Sequence, residues 1–508
     1  MIPVLARLSR PRALRMPVIA VETAIVVGLT ALVCVVHDVP YLLRVPFWVD
    51  ESWVAASTKV SLTRLPWVSS TTPVLFTTLL RAAPGGQQGL RLLPLALAGA
   101  AGGAGYIAGR AGGLSRVTSC ALLAVPILVT PAMLVRDDLK QYTAEGFWSV
   151  VVLALLLRLE AAWLRRRLAA LTAACTLGVL LANADLFVGS AAMVSLAVVC
   201  LVKRRWQHLA EVTLAGSVAA VGMACVLATF VLPNRNQVLR HYWDAFYPVG
   251  GVKGAAAYLT AHFPPVAAGA GMGGPAAVVV LSLAAVVVIC AVGRPAAALL
   301  LPAAFGENAV AGRARLFPFL DVRTSTWLCV LVVAVLGLGL GLVLERLAGR
   351  ASFLALLLTV IACLGYVFHN RQDIRVHPIL AEDVRSQVRY VDTHRRPGDV
   401  VVVDVGANWG FGYYGSSEVP RPLRSAVVAS GYTFSFGPAV VTMAGRSRTD
   451  PKEAVEQAMA RRGSGGRIFV VRSHVLPQEA AGWRDVRAAM PSVIVRCGIE
   501  PLLLLKPP

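Results

Sequence analysis

The stretch Phe47-Trp48-Val49-Asp50-Glu51-Ser52-Trp53 places two adjacent carboxylates directly after the first long apolar segment of the chain. Tryptophans flank the pair, and tryptophan is enriched where a membrane meets water. Acidic side chains beside a membrane-spanning helix are costly unless they are hydrated, paired or used in chemistry. The pair is therefore either a functional site or an ordinary polar loop on the far side of the first span.

The composition is that of an integral membrane protein. Of the 508 residues, 57% are hydrophobic and 15% are charged, whereas soluble domains contain roughly 25% charged residues. Apolar runs recur from Val18 to Phe368 and then stop. Because a membrane-spanning helix needs about 20 apolar residues, these runs predict a polytopic α-helical membrane protein with about eleven transmembrane helices. A polar C-terminal domain follows them.

The net charge of +21 reflects membrane topology rather than a nucleic-acid partner. Basic clusters fall at every second connection between the apolar runs, as the positive-inside rule describes. These clusters are Arg7 to Arg15, Arg110 with Arg116, Arg158 to Arg167, Lys203 to Arg205, and Arg346 with Arg350. An odd number of spans then places the C-terminal domain outside the cytoplasm. The predicted span at 295–304 is short, and without it the C-terminal domain would lie in the cytoplasm.

The chain divides into three parts. Residues 1–16 form a cytoplasmic arm, residues 17–368 form the multi-pass domain with an outer loop at 38–87, and residues 369–508 form a C-terminal extracytoplasmic α/β domain. The apolar patterns of this last domain predict buried strands, an amphipathic helix and a final strand or hairpin. In that order they are Asp399–Val405, Arg467–Val471, Pro477–Met490 and Val493–Leu505.

Three outer hinges hold most of the polar side chains that topology does not explain. The first carries Asp50, Glu51 and Lys59; the second carries Asp137, Asp138, Lys140 and Tyr142; the third runs from Arg235 to Lys253. Basic residues in outer loops oppose the positive-inside bias, so they either bind an anionic headgroup such as a lipid phosphate or neutralise neighbouring acids. The residues concerned are Lys140, Arg240, Arg313, Arg315 and Arg323.

Glycosyl transfer from a lipid-linked phosphate needs these kinds of groups. A carboxylate takes the proton from the acceptor hydroxyl as it attacks the anomeric carbon. Cations stabilise the departing phosphate. A lipid-linked donor also requires a site at membrane depth near the outer surface, where the three hinges are predicted to lie.

Four short motifs follow one another along the first part of the chain. They are Val49 to Ser52 after the first span, Thr72 to Phe76 later in the first loop, Leu90 to Pro94 with Tyr106 to Arg110 in the second span, and Arg136 to Tyr142 before the fourth. In order and membrane placement they resemble the polytopic C-class (GT-C) glycosyltransferases, specifically the bacterial relatives of protein O-mannosyltransferases and of lipid A aminoarabinose transferases. That family often has His or Gln where this chain has Thr72. The resemblance covers residues 20–160, and the later spans agree only in their rhythm.

The resemblance implies a glycosyltransferase of the plasma membrane that moves a sugar from a polyprenyl-phosphate donor to a cell-envelope acceptor, with inversion at the anomeric carbon. Asp50 would be the general base. Glu51 would support it, contact the acceptor, or share a divalent cation (Mg or Mn) with Asp50, and Asp137 or Asp138 would complete the site. The donor phosphate would be contacted by Lys140, Tyr142, Lys59, Arg240 and Arg323.

Other functions stay open. A transporter or flippase for a lipid-linked glycan would need ionisable groups near the bilayer midplane at interrupted helices, and Asn183 and Asp185 are candidates for these groups. The chain could also be a non-catalytic member of the transferase fold. The stretch Val402 to Gly410 resembles the glycine-rich first motif of some S-adenosylmethionine methyltransferases, but no strand ending in an acid about 20 residues later supports a ribose contact. The alternative is a strand and turn in a small accessory domain.

Overall fold

The computed structural model describes residues 15–65, 72–135, 138–232, 242–376, 382–415, 421–423, 431–433, 440–442, 451–475 and 477–506. The arm predicted over residues 1–16 lies almost entirely outside these ranges. Within them, the predicted fold class is confirmed, because a large array of apolar helices is followed by a small domain that contains a β-sheet.

The first half of the membrane part contains both long and short helices. They are α1 (Arg15–Ala31), α2 (Val33–Val36), α3 (Val39–Arg44), α4 (Val49–Ser57), α5 (Val74–Arg81), α6 (Gly86–Gly112), α7 (Arg116–Ser119), α8 (Val125–Leu128), α9 (Pro131–Val135), α10 (Tyr142–Ala161) and α11 (Arg165–Leu181). A π-helical turn, Cys120–Ala124, joins α7 to α8, so these segments form one apolar stretch. Helices α4 and α5 belong to the outer loop 38–87.

The second half consists mainly of long helices. They are α12 (Asp185–Val202), α13 (Trp206–Val226), α14 (Val252–Gly269), α15 (Pro275–Ala291), α16 (Pro295–Arg313), α17 (Thr326–Ala348) and α18 (Ser352–His369). Helix α11 ends at Leu181 and α12 begins at Asp185, so the helical structure is broken at residues 182–184, next to the break that the sequence predicts at residues 183–185.

Among the described helices, six are long and apolar enough to cross a membrane. They are Ile19–Val36, Gly86–Gly112, Asp185–Val202, Trp206–Val231, Thr326–Ala348 and Ser352–His369. Two shorter apolar stretches, Arg116–Leu128 and Pro275–Ala291, accompany them. Helix α17 is buried along most of its length, whereas α13 and α18 are mostly exposed. Exposed apolar helices are expected where the surrounding solvent is lipid.

Helix α16 is longer than the sequence predicts. The apolar run suggests an end near residue 304, before Glu307, but the helix continues to Arg313. The structure supplies the reason, because the Ser190 hydroxyl of α12 donates a hydrogen bond to Glu307. A partnered carboxylate can lie between packed helices, so Glu307 does not end the helix.

Glycines let α6 pack closely against its neighbours. A Cβ at Gly99 would lie 2.5 Å from the Thr30 carbonyl oxygen, and a Cβ at Gly109 would lie 2.7 Å from Ser119 Oγ. Small residues allow such close approach between membrane helices. Helix α6 is therefore held in place by the helices on either side of it. Its first turns lie next to the loop that carries Asp50.

The C-terminal domain is built on a mixed sheet. Its strands are β1 (Val400–Val403), β4 (Val440–Thr442), β5 (Ile468–Val471), β6 (Ser492–Val495) and β7 (Leu502–Leu505), in the order β4-β1-β5-β7-β6. Strand β1 is parallel to β4 and β5, and β7 is antiparallel to β5 and β6. A separate pair is formed by β2 (Arg421–Leu423) and β3 (Gly431–Thr433).

Helices cover both faces of this sheet, which explains its continuous apolar strands. They are α19 (Val384–His394), α20 (Asn408–Gly415), α21 (Pro451–Arg461) and α22 (Pro477–Ala489). Val401 and Val403 face the cluster that includes α19 and α20, whereas Val400 and Val402 face α21 and α22.

The C-terminal domain packs directly on the outer loop 38–87. Ala56, Val60 and Leu65 of the loop are buried in the same apolar cluster as one face of the sheet. Trp53 of α4 stacks on Trp409 of α20 with ring centroids 4.9 Å apart. The domain therefore lies on the same side of the helix array as the loop that carries the paired carboxylates.

Candidate functional site

Glu51 is a fully buried anchor. It is the third residue of α4, and its carboxylate accepts a hydrogen bond from the Trp48 backbone N–H at 3.3 Å, which caps the start of the helix. Arg91 of α6 forms an ion pair with it and donates through Nε to Oε1 at 3.1 Å. The Leu139 N–H of the second hinge donates to Oε1 at 2.9 Å. Glu51 thus joins the outer loop, α6 and the second hinge.

Arg91 is as buried as Glu51 and has further partners in the outer loop. It donates to the carbonyl oxygens of Val45 at 2.9 Å and Pro46 at 3.2 Å. Burial raises the pKa of Glu51, whereas Arg91 and the two backbone N–H groups oppose that shift. Every oxygen of the carboxylate is used within the fold, which favours a structural support for the site rather than contact with a substrate.

Asp50 faces a different direction. Successive helical residues are about 100° apart around the axis, so neighbours in sequence need not share an environment. The Asp50 side chain is 30% exposed, and its Oδ2 lies 3.9 Å from Nη1 of Arg323. It is therefore accessible to a substrate while it is held near a cation.

Arg323 lies between α16 and α17 and is fixed by aromatic residues of the third hinge. Its Nη2 donates to the Tyr242 hydroxyl at 2.8 Å, and its guanidinium lies 5.2 Å from the centre of the Trp243 ring. It also lies 3.9 Å from Asp321. Burial lowers the pKa of Arg323, but Tyr142, Tyr242 and Asp321 raise it, and the net shift is upward. Arg323 is therefore a permanent cation beside Asp50.

The second hinge contributes buried polar residues to the same place. Asp138, Lys140 and Tyr142 are all buried, and the Lys140 N–H donates to the Asp138 carbonyl oxygen at 2.7 Å. The Tyr142 hydroxyl interacts electrostatically with Asp138, Arg323 and Asp50. We call Asp50, Asp138, Tyr142 and Arg323 the outer cluster. Its members come from the first hinge, the second hinge and the connection between α16 and α17, and each was a candidate from sequence.

Lys59 lies apart from the outer cluster. Its ammonium donates to the carbonyl oxygens of Tyr413 at 2.6 Å and Gly412 at 3.3 Å, and it lies 5.1 Å from the centre of the Tyr413 ring. Burial lowers its pKa. These contacts favour a role in docking the C-terminal domain. Two other predicted site residues, Asp137 and Arg240, lie outside the described residues.

Glu382 and His474 of the C-terminal domain belong to the site but were missed in the sequence. Glu382 Oε2 accepts a hydrogen bond from the Val49 N–H at 2.6 Å, and Oε1 lies 2.8 Å from Nδ1 of His474. Glu382 raises the pKa of His474, and Asp50 adds to that shift. Single acidic and histidine residues more than 300 positions away from Asp50 carry no local signal that could reveal this contact.

The glycine-rich stretch after β1 has a structural role. A Cβ at Gly406 would lie 2.2 Å from the Ser473 carbonyl oxygen and 2.7 Å from that of His474. Asp404 accepts a hydrogen bond from the Trp483 indole at 3.0 Å. These contacts support the strand-and-turn interpretation over the methyltransferase one, because Gly406 is needed for the close approach of the segment that contains His474.

The geometry does not favour a cation shared by Asp50 and Glu51. Glu51 is saturated by Arg91 and backbone donors, and Arg323 is the neighbour of Asp50. Across the described ranges, no group of three or more His, Cys, Asp or Glu side chains could hold a metal ion.

No protein-family model and no curated protein sequence matches the chain. Solved structures do. The crystal structure of ArnT from Cupriavidus metallidurans bound to undecaprenyl phosphate aligns with a TM-score of 0.57 and 12% identity over 95% of this chain and 98% of that one. The apo state of the same protein aligns at 0.56 and 11%, over 97% and 98%. The chain has the GT-C fold.

A third solved structure supports this assignment. The oligosaccharyltransferase of Archaeoglobus fulgidus, in complex with Zn and sulfate, aligns with a TM-score of 0.53 and 14% identity over 88% of this chain and 67% of that one. At such low identity the agreement concerns the fold alone. In this GT-C fold, the outer cluster lies where the loop after the first helix meets the second hinge and the C-terminal domain.

Proposed function

We propose that the chain is a membrane glycosyltransferase that transfers a sugar from a polyprenyl-phosphate donor to a cell-envelope acceptor, with inversion. The GT-C fold and the undecaprenyl phosphate bound to one structural neighbour support this class of donor. The observation that carries the proposal is the accessible Asp50 carboxylate beside the fixed cation Arg323. Glu51 and Asp138 next to it are buried, so Asp50 is the carboxylate that a substrate can reach.

In this proposal, Asp50 is the general base. It accepts the proton of the acceptor hydroxyl as the hydroxyl oxygen forms a bond to the anomeric carbon and the bond to the donor phosphate breaks. Arg323 stabilises the negative charge that develops on that phosphate. Donor binding draws Arg323 toward the phosphate and away from Asp50, which leaves the carboxylate free to accept a proton. Lys140 and Tyr142 contribute to the phosphate end, and Asp137 and Arg240 remain proposed members of the site.

The proposed reaction takes place on the extracytoplasmic side of the plasma membrane. Basic clusters lie in or directly beside the α10–α11, α12–α13 and α17–α18 connections; they are Arg165 to Arg167, Lys203 to Arg205, and Arg346 with Arg350. The positive-inside rule assigns those connections to the cytoplasm. The outer cluster and the C-terminal domain that contacts it are then on the opposite side.

A flippase for a lipid-linked glycan is the second candidate. Asp185 lies at the interruption between α11 and α12, is buried, and accepts no hydrogen bond through either carboxylate oxygen within the described chain. An ionisable group of this kind inside a membrane protein is a candidate for transport. The outer cluster, with its base and its phosphate-binding cation, is better explained by sugar transfer.

The deciding experiment compares wild type with Asp50→Asn in proteoliposomes that contain polyprenyl-phosphate sugars and total envelope acceptors. Loss of a general base lowers the rate by about 10²- to 10⁴-fold, so we expect transfer to fall by that factor while the donor still binds. Asp244→Asn is the matched control, because Asp244 is an exposed outer carboxylate that lies 3.6 Å from Arg315 and outside the outer cluster.

Undiminished transfer by Asp50→Asn would refute the proposed base and direct attention to Asp137 and Asp138. Movement of the lipid-linked sugar across the bilayer, with no turnover of any donor, would instead support the flippase.

A further inference from the structure

The C-terminal domain contains a cleft that the proposed function does not use. An open cleft of about 520 Å³ lies between α22 and the segment that follows β5. Its walls include Arg472, Ser473 and His474 after the strand, and Trp483, Arg484 and Arg487 on the helix. In sheets with parallel strands, the region beyond the carboxyl ends of the strands is where ligands bind. The cleft has the volume of a small-molecule site.

Three arginines give the cleft its charge. Arg472 is half-buried, its guanidinium packs 5.6 Å from the centre of a Trp483 ring, and its Nε is buried without a hydrogen-bond partner in the part of the chain that is described. Burial lowers the pKa of Arg472, and the charge of Arg487 lowers it further. Asp404 and Glu500 oppose this shift. Arg484 and Arg487 are exposed on the same helix three positions apart, so they lie on one face.

The acidic residues of the cleft are used by other partners. Glu500 accepts hydrogen bonds from the Ser473 hydroxyl at 2.6 Å and from the Asp383 N–H at 2.8 Å. Glu382 is occupied by His474 and by the Val49 N–H. Neither acid forms an ion pair with Arg472, Arg484 or Arg487 within the described residues. Glu500 interacts electrostatically with Arg472, so the exposed Arg484 and Arg487 are the cations available to an external anion.

The cleft is next to the outer cluster. Glu382 and His474 line the cleft, and the same Glu382 holds the backbone of Val49, which precedes Asp50. His474 also interacts electrostatically with Asp50. The wall of the cleft that Glu382 and His474 form is thus in contact with the start of α4, which carries Asp50.

We infer that this cleft binds a phosphate group carried by the acceptor, and that it orients a hydroxyl of the same molecule toward Asp50; this inference rests on the proposed function. Guanidinium groups match phosphate geometry through paired N–H donors, and a desolvated arginine with an unused Nε has the most to gain from such a partner. The acceptor class is a phosphorylated saccharide or polyol, and the phosphate comes either from a soluble acceptor or from a lipid headgroup.

The test is direct binding to the full chain in nanodiscs, measured by isothermal titration calorimetry with glycerol phosphate, inorganic phosphate and glucuronate. We expect the two phosphates to bind more tightly than glucuronate. The double variant Arg484→Gln/Arg487→Gln should weaken glycerol phosphate binding by about tenfold or more, because two charge-assisted contacts are lost. Arg461→Gln, on the exposed side of α21, is the control and should bind as wild type does.

A second variant, Arg472→Gln, should also weaken binding, and an unchanged thermal midpoint shows that the domain is still folded. Nanodiscs that contain phosphatidic acid distinguish the two sources of phosphate: competition with glycerol phosphate indicates a lipid headgroup, and unchanged affinity indicates a soluble acceptor.

Equal binding by wild type and the double variant would overturn the inference, as would tighter binding of glucuronate than of phosphate. These results do not depend on catalysis. If Asp50→Asn retains transfer while glycerol phosphate binding requires the arginines, the proposed base is wrong and the cleft stands. If Asp50→Asn abolishes transfer while no phosphate binds, the proposed base stands and the inference about the cleft is wrong.

Discussion

At the scale of single residues, the chain gives two adjacent carboxylates opposite roles. Glu51 is fully buried against Arg91 and backbone donors, whereas Asp50 is partly exposed and faces Arg323 at 3.9 Å. A carboxylate therefore supports the fold at Glu51, whereas the carboxylate of Asp50 is accessible to a substrate. The division depends on Arg91, which reaches Glu51 from the outer end of α6.

We expect Glu51→Gln to destabilise the protein, because it leaves Arg91 buried without a counter-charge. Removing one member of a buried ion pair costs about 3–5 kcal/mol. Asp50→Asn is the control, and it should change stability by no more than about 1 kcal/mol, since a partly exposed pair contributes little. Free energies of unfolding in bicelles measure both. A stable Glu51→Gln variant would show that the ion pair does not hold the loop.

The sequence identifies Asp50 and Glu51 together but does not separate them. Arg91 lies 40 positions after Glu51. The motif that contains Arg91 resembles the GT-C family, but the sequence does not show that Glu51 is the partner of Arg91. The sequence predicts three further site residues, Asp138, Tyr142 and Arg323, because topology does not explain polar side chains in outer connections. Their meeting with Asp50 depends on how three connections converge, which no local pattern encodes.

At the scale of elements, the contact between α4 and the C-terminal domain shapes the site. The strands β1 and β5, helix α22 and the final hairpin were all predicted, because strands and helices of a two-sided sheet leave clear apolar patterns. The docking of that domain was not predicted. It depends on single residues such as Lys59, Trp53 and Glu382, whose partners lie more than 300 positions away.

The docking contact should weaken as the pH rises. The pKa of His474 is raised above its ordinary value of about 6.5, chiefly by its hydrogen bond to Glu382. Asp50 of α4 also raises this pKa from across the contact, so that attraction is complete below about pH 6.5 and is lost as the pH rises through the higher pKa of the docked state. The protection factors of the amides in α4, which are hydrogen-exchange rates corrected for the intrinsic rate at each pH, should fall above that pKa.

In this experiment, His474→Gln should remove the pH dependence, because glutamine does not titrate. His394→Gln is the control, since His394 is an exposed residue of the same domain that stacks on Tyr390, away from α4. Protection factors in α4 that depend on pH equally in His474→Gln and in wild type would assign the effect to another group.

At the scale of the whole molecule, the fold divides the chain into two sides. The outer loop and the C-terminal domain share an apolar cluster, so they must lie on the same side of the membrane. The rhythm of apolar runs and basic connections predicted this arrangement. The weakest part of that prediction is the short span at 295–304. The structure has a helix of 19 residues there, because the Ser190 hydroxyl donates a hydrogen bond to Glu307 and the helix can continue past it.

We expect labelling of intact cells to place both parts outside. In a background without native cysteines, Ser61→Cys in the outer loop and Arg461→Cys in the C-terminal domain should react with a membrane-impermeant maleimide. Arg166→Cys, in the first turn of α11, should react only after permeabilisation; all three positions are exposed. Labelling of Arg461→Cys only after permeabilisation would contradict the proposed topology.

The docking of the C-terminal domain also sets the order in which a ribosome can complete the site. The backbone N–H groups of Phe47 and Val49 are held by Tyr414 and Glu382, which are made 367 and 333 residues later. At about 5–20 residues per second, the loop waits roughly 20 to 70 seconds for these partners. During that time Asp50 is attached to the membrane without its final surroundings. A nascent chain therefore cannot complete the proposed site until Glu382 and Tyr414 have been made, and a product truncated before them would enter the membrane without these two contacts.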